Sequence, residues 1–155
     1  MTDPRSWARR IEVPADARTT LPEAQYAVAF RLEPAGARTP EQWARAALEG
    51  SPLPWRWVLM IGWRYVLGLQ LGPARSRWHV QGWPIAGSDD KSVALVARSR
   101  LLEAANVFQV DADAVTWVTL VRYQRPVARL LWGALAPVHQ LTVPPLLARA
   151  ARAGR

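Results

Sequence analysis

Between Thr119 and Leu147 an alternating strand runs straight into a long apolar helix carrying Pro137-Val138-His139. This junction constrains the fold more than any other stretch. Val127, Leu130, Leu131, Ala134, Leu135, Val138 and Leu141 recur at three and four residues, the period of a helix that must bury a face. Before the junction come one strand, two helices and then more strands. That order predicts an α+β fold in which a curved antiparallel sheet closes around the terminal helix, an architecture that leaves room for a cavity.

The earlier elements can be read one by one. Residues 1–20 read as an irregular N-terminal leader. Tyr26, Val28, Phe30 and Leu32 alternate with Gln25, Ala27, Ala29 and Arg31, which marks a half-buried strand. Thr39-Pro40-Glu41-Gln42 is a helix start: Thr39 caps, Pro40 fits the first helical position, and Gln42 stands where a capping box needs it. Trp43, Ala46 and Ala47 share its face, and Gly50 stops it.

After Ser51-Pro52-Leu53-Pro54, a second helix is expected over Trp55 to Leu69. It is apolar almost all round and is therefore expected to be well buried, with Gly62 allowing close packing. Gln70 to Arg77 reads as a polar loop. His79 to Ile85, Ser92 to Arg98, Leu101 to Val110 and Ala114 to Gln124 read as strands of an antiparallel meander. Pro137 is expected to kink the terminal helix, and Pro144-Pro145 to bend or interrupt it. There is no internal repeat and no low-complexity segment. Residues 21–150 form the expected domain, with a basic tail over 151–155.

Composition narrows the chemistry. The chain has 155 residues, half of them hydrophobic, enough for one domain with a real core. There is no Cys, which excludes thiol catalysis, cysteine zinc sites, iron–sulfur clusters and disulfides. The start has no apolar central region, and Trp55 to Leu69 is too short and too charged to span a bilayer, so the chain is read as cytoplasmic. The net charge is +8, and Lys91 is the one lysine among 20 basic residues. Such a balance raises nucleic acid as a partner. The arginines are spread along the chain, however, and Arg, Ala, Pro and Gly share GC-rich codons, so a GC-rich genome explains the bias without a binding role.

The order of elements resembles the helix-grip fold of the START/polyketide-cyclase (SRPBCC) superfamily, and within it the uncharacterised DUF2867 family. The likeness is carried by Tyr26-Ala-Val-Ala-Phe30, Thr39-Pro-Glu-Gln-Trp43-Ala-Arg45, Arg64 before Gly68-Leu69, and Trp83. It continues through Thr119-Leu-Val-Arg-Tyr123 and Arg129 to Trp132 into Pro137-Val-His139. It covers residues 20–150. The resemblance implies binding of hydrophobic small molecules, and for some members a cyclase reaction. It transfers no catalytic residue.

No catalytic motif stands out. There is no glycine-rich phosphate loop and no nucleophile elbow. His79 and His139 are the only histidines, far apart in sequence and without carboxylates at metal-ligand spacing, so no metal or cofactor is called for. His79, at a strand start, is expected to be exposed. His139 either faces the cavity, bonds a carbonyl freed by Pro137, or sits at the helix surface. Glu103 alternates with Leu102, Ala104, Asn106 and Phe108 and is expected to point to water; an inward position beside Arg98 or Arg122 would make it a site candidate. Asp89, Asp90, Asp111 and Asp113 are turn residues.

Nine tryptophans say more. Most serve core packing, but an aromatic-lined pocket between sheet and helix is the functional reading. Its expected lining is Trp83, Phe108, Trp117, Tyr123 and Trp132, with Asn106, Arg122 and His139 as polar contacts. The expected role is non-catalytic binding of a hydrophobic small molecule or lipid. A cyclase-like enzyme using the same cavity is one alternative. The other is an arginine-rich interaction protein, a homodimer or a nucleic-acid binder, with no pocket.

Overall fold

The computed structural model describes residues 8–33 and 35–153. The fold is α+β: an eight-stranded antiparallel sheet with a long C-terminal helix. In chain order the elements are β1 (Arg9–Ile11), α1 (Ala15–Arg18), β2 (Tyr26–Leu32), α2 (Pro40–Leu48) and α3 (Leu53–Ile61) with a π-helical turn (Gly62–Val66). Then come β3 (Arg75–Ser76), β4 (His79–Val80), β5 (Trp83–Ser88), β6 (Ser92–Arg98), β7 (Leu102–Asp111), β8 (Ala114–Tyr123) and α4 (Pro126–Ala153). The strand order across the sheet is β1-β2-β8-β7-β6-β5-β4-β3.

Side-chain parity assigns each strand's residues to two faces. On the inner face, the pairing of β2, β8, β7 and β6 sets Val28, Thr119, Asn106 and Leu95 in one row, and Phe30, Trp117, Phe108 and Val93 in the next. Apart from the buried polar pair Asn106 and Thr119, these belong to the main core with Trp43, Ala44, Ala47 and Leu48 of α2 and the buried face of α4. The capping box at α2 forms as expected: Gln42 N donates to Thr39 Oγ1 (3.2 Å) and Thr39 N to Gln42 Oε1 (2.9 Å).

The outer face carries smaller side chains, Ala29, Ala105, Val107, Val118 and Leu120, and the N-terminal segment lies on it. This corrects the expectation of an irregular leader over residues 1–20. Residues 1–7 lie outside the described residues, but β1 pairs with β2, and Ala17 and Leu21 are buried against the outer face. A three-residue strand and a one-turn helix are too short to show a period, and tertiary contact holds them instead.

Three further expectations change. His79 to Ile85 is not one strand: Val80 pairs with Trp83 around Gln81-Gly82, whose φ angles of 49° and 88° suit the two-residue hairpin turn that needs both central residues left-handed. The expected loop over Gln70 to Arg77 contributes β3. The second helix begins earlier, at Leu53, and none of its residues is buried. α2 and α4 make the close contacts with the inner face and α3 lies at the edge of the space left there, so an apolar surface all round did not ensure burial. Gly62 meets no close neighbour either: a Cβ there would find nothing within 4 Å.

α4 continues through Pro137, Pro144 and Pro145 without interruption. Pro137 and Pro145 leave the carbonyls of Gly133 and Leu141 without an amide partner, and both those residues are exposed, so water can serve them. Beyond the prolines, Leu146, Leu147, Ala148, Ala150 and Ala151 are buried, and this packing holds the last turns.

Glu103 lies on the outer face, as its parity requires, but does not reach water. Its side chain is only 7% exposed. It pairs across the ladder with Arg98 (3.2 Å) and with Arg122, which also donates to the carbonyl of Pro22 (3.0 Å). The covering segment thus buries the carboxylate and is tied down by its partner. Replacing Arg122 with Met leaves Glu103 with one exposed partner and should cost roughly 2 kcal/mol, less than a fully buried pair. Adding Glu103→Leu should recover most of that loss in urea denaturation.

Candidate functional site

A cavity of about 170 Å³ lies between the inner face, α3 with its π-helical turn, and α4. Trp117, Thr119 and Val121 of β8 and Ala104 and Asn106 of β7 form its floor. Trp83 of β5 closes one side, where Trp63 meets it edge-on at 5.5 Å. The roof comes from α4, with Trp132, Leu135, Val138, His139, Thr142, Val143 and Leu146. Trp55, Val138, Thr142 and Leu146 also border an adjoining groove of about 280 Å³ between α3 and α4.

One chain of polar contacts crosses this apolar space. Trp117 Nε1 donates to Asn106 Oδ1 (2.9 Å), and Thr119 Oγ1 donates to the same oxygen (2.9 Å). The indole N–H can only donate, which fixes the orientation of the Asn106 amide. With its hydroxyl proton committed to Asn106, Thr119 accepts from His139 Nε2 at 3.2 Å. The neutral imidazole therefore carries its proton on Nε2 and leaves Nδ1 as an acceptor. Nδ1 is buried and has no partner among the described residues, nor have the indole nitrogens of Trp83 and Trp132. A buried polar group left unpaired costs about 1–3 kcal/mol.

Burial pushes the His139 pKa from 6.5 down to about 4. A second proton would sit on Nδ1, where nothing accepts it. Tyr26 stands edge-on to Trp132 at 5.3 Å and to His139 at 6.4 Å. Its hydroxyl accepts from Gln140 (3.1 Å), and burial raises its pKa. His139 bonds no carbonyl freed by Pro137; its ring nitrogen is turned to the sheet instead.

Of the residues expected on the wall, Trp83, Asn106, Trp117, Trp132 and His139 meet around the cavity. Phe108, Arg122 and Tyr123 do not. Phe108 is fully buried against the Trp117 ring, 4.8 Å away. Arg122 is on the outer face with Glu103. Tyr123 shares the inner parity but ends its strand, with the Arg129 guanidinium over its ring. Sequence reasoning missed Thr119 and Trp63. Thr119 was recoverable, because alternation puts it between Trp117 and Val121 on the same face. His79 is half-buried instead of exposed, its Nδ1 2.7 Å from Ser76 Oγ in the β3–β4 hairpin. Asp89 is a turn residue whose carboxylate accepts from the amides of Lys91 and Ser92, which lowers its pKa. Asp111 bonds Arg31, which lowers its own. Among the described residues no cluster of His, Asp and Glu could hold a metal ion.

No family model, curated protein or solved structure matches this chain.

The buried imidazole links stability to pH. In the unfolded chain His139 takes up a proton near 6.5; in the folded chain it does so only near 4. Between these values the unfolded state binds more protons, so stability falls as pH drops from about 6.5 towards 4 and the loss is complete below that. The loss should amount to about 3 kcal/mol. Urea midpoints across this window should fall more steeply for the natural chain than for His139→Phe.

Proposed function

We propose that this protein binds a hydrophobic small molecule, without catalysis, in the space between the inner sheet face and α4, and that its architecture is a helix grip of the kind the DUF2867 likeness implies. The observation that carries the reading is the cavity itself: an apolar pocket whose few buried polar atoms include the unpartnered Nδ1 of His139 and the indole nitrogens of Trp83 and Trp132. Apolar side chains left against water in this pocket forgo the contacts that a packed interior gives them. An occupant restores those contacts, and each square ångström of apolar surface removed from water adds about 25 cal/mol.

Size bounds the occupant. An apolar cavity of about 150 Å³ takes up benzene in another protein, so a monocyclic body fits here and a longer tail would continue into the groove between α3 and α4. The lining also bears on reaction chemistry. Its one ionisable side chain is His139, kept neutral by burial and without a carboxylate or second base beside it. A lone imidazole in that state favours holding a ligand over a cyclase-like proton shuttle.

Native mass spectrometry of freshly purified protein should show a retained small molecule. Failing that, a monocyclic aromatic added at about a hundred times its Kd should stabilise the chain by about 2.7 kcal/mol, read as a rise in Tm of several degrees. Ala104→Leu, which fills the floor, should abolish that rise. A chain that carries nothing and whose Tm no aromatic compound shifts would sink the reading.

A further inference from the structure

The cavity does not account for the outside of the helices that cover it. Every large exposed hydrophobic side chain of the described residues except Trp78 lies on α3, its π-helical turn or α4. On the first stand Leu53, Trp57, Ile61 and Tyr65, with Trp57 65% and Tyr65 81% exposed. On the second, the solvent side reads Val127, Leu130, Ala134, Pro137, Val138, Leu141 and Pro145. That stripe is about 27 Å long at the helical rise of about 1.5 Å per residue. Trp55 joins the two surfaces, because it borders the groove with Val138 and Leu141. A soluble helix normally turns polar residues outward; here two adjoining helices do not.

The charges around this surface have one sign. No Asp or Glu occurs from Gly50 to Ser88, and none follows Asp113. α3 and its turn carry Arg56 and Arg64; α4 carries Arg129, Arg149 and Arg152. None of these five pairs with a carboxylate among the described residues.

From this juxtaposition we infer that α3 and the outer side of α4 form a docking surface for an anionic phospholipid membrane. The apolar side chains enter the boundary between headgroups and acyl chains, Trp57 and Tyr65 sit at headgroup depth, and the arginines pair with lipid phosphates. No helix of the described residues is long and apolar enough to cross a membrane, so the contact is superficial. A second copy of the chain fits less well. Symmetric pairing would set the same face against itself, bringing arginines together with no carboxylate to offset them. Lipid phosphate supplies the missing negative charge. Docked this way, the groove between α3 and α4 opens towards the bilayer.

The test is sedimentation of the full chain with phosphatidylcholine vesicles, with and without phosphatidylglycerol. The chain should pellet with the anionic vesicles and far less with the neutral ones. Removing Arg56 and Arg64 as R56Q/R64Q should weaken anionic binding by about fivefold per arginine and leave the neutral vesicles unaffected. Trp57→Gln with Ile61→Gln and Tyr65→Gln should abolish pelleting while thermal melting stays cooperative. Leu130→Gln with Leu141→Gln should do the same from the other helix, should the first variant fail to fold. A chain that stays in the supernatant with both vesicles overturns the proposal. So does a dimer in light scattering that either variant set converts to monomer, since a second copy then covers the face. Neither result bears on ligand uptake by the cavity, which Tm shifts report separately.

Discussion

Two residues, Gln124 and Arg125, separate β8 from α4, and the rest of the molecule follows from that short link. A helix that starts immediately after a central strand has to fold back across the sheet to bury its apolar side. It meets the inner face over β2 and β8, reaching Thr119, which stands opposite Asn106 in the β7–β8 ladder. The polar chain from Trp117 through Asn106 and Thr119 then reaches the helix at His139, about four turns from its start. This contact fixes how α4 sits over the sheet, and the large rings around it hold the helix off the floor. The cavity is the volume left between them.

The two faces of the sheet are covered in different ways. Outside, short side chains such as Ala29 and Ala105 let a thin N-terminal segment lie close, and the Glu103–Arg122 pair ties it to the ladder. Inside, Trp43 and Phe108 fill the layer beneath α2, while Trp83, Trp117 and Trp132 frame empty space. The chain supplies more apolar helix than one inner face can cover. α2 and one side of α4 take the available surface, and the excess appears on α3 and the far side of α4. An apolar pocket and an uncovered apolar surface lie side by side on the helical face of the molecule.

What was legible followed from strong local periods. Alternation in Tyr26–Leu32, Ser92–Arg98 and Ala114–Tyr123 located three strands, and the Thr39–Gln42 capping box located α2. What was not legible depended on contacts between distant segments. Ala17 is buried because small residues from four strands make room for it, and nothing around Ala17 reveals this. α3 was read as buried from its composition, but burial depends on whether a face is still free. Within the site, Trp117 and Asn106 could be placed because parity puts them on the floor. Arg122 was expected on the wall although it stands one residue out of phase with Trp117, Thr119 and Val121; parity, applied strictly, would have excluded it. Phe108 and Tyr123 have the inner parity and still miss the wall, since position along the strand decides whether another ring covers them.

The central claim is that α4 rests over the sheet with apolar space beneath it. A crystal held under xenon pressure tests it most directly, because xenon settles in apolar cavities and can be located by its scattering. The account predicts a single strong xenon site bounded by Trp83, Trp117, Leu135 and His139. The absence of xenon there, with the Trp63 or Trp132 ring swung inward to fill the volume, would contradict it.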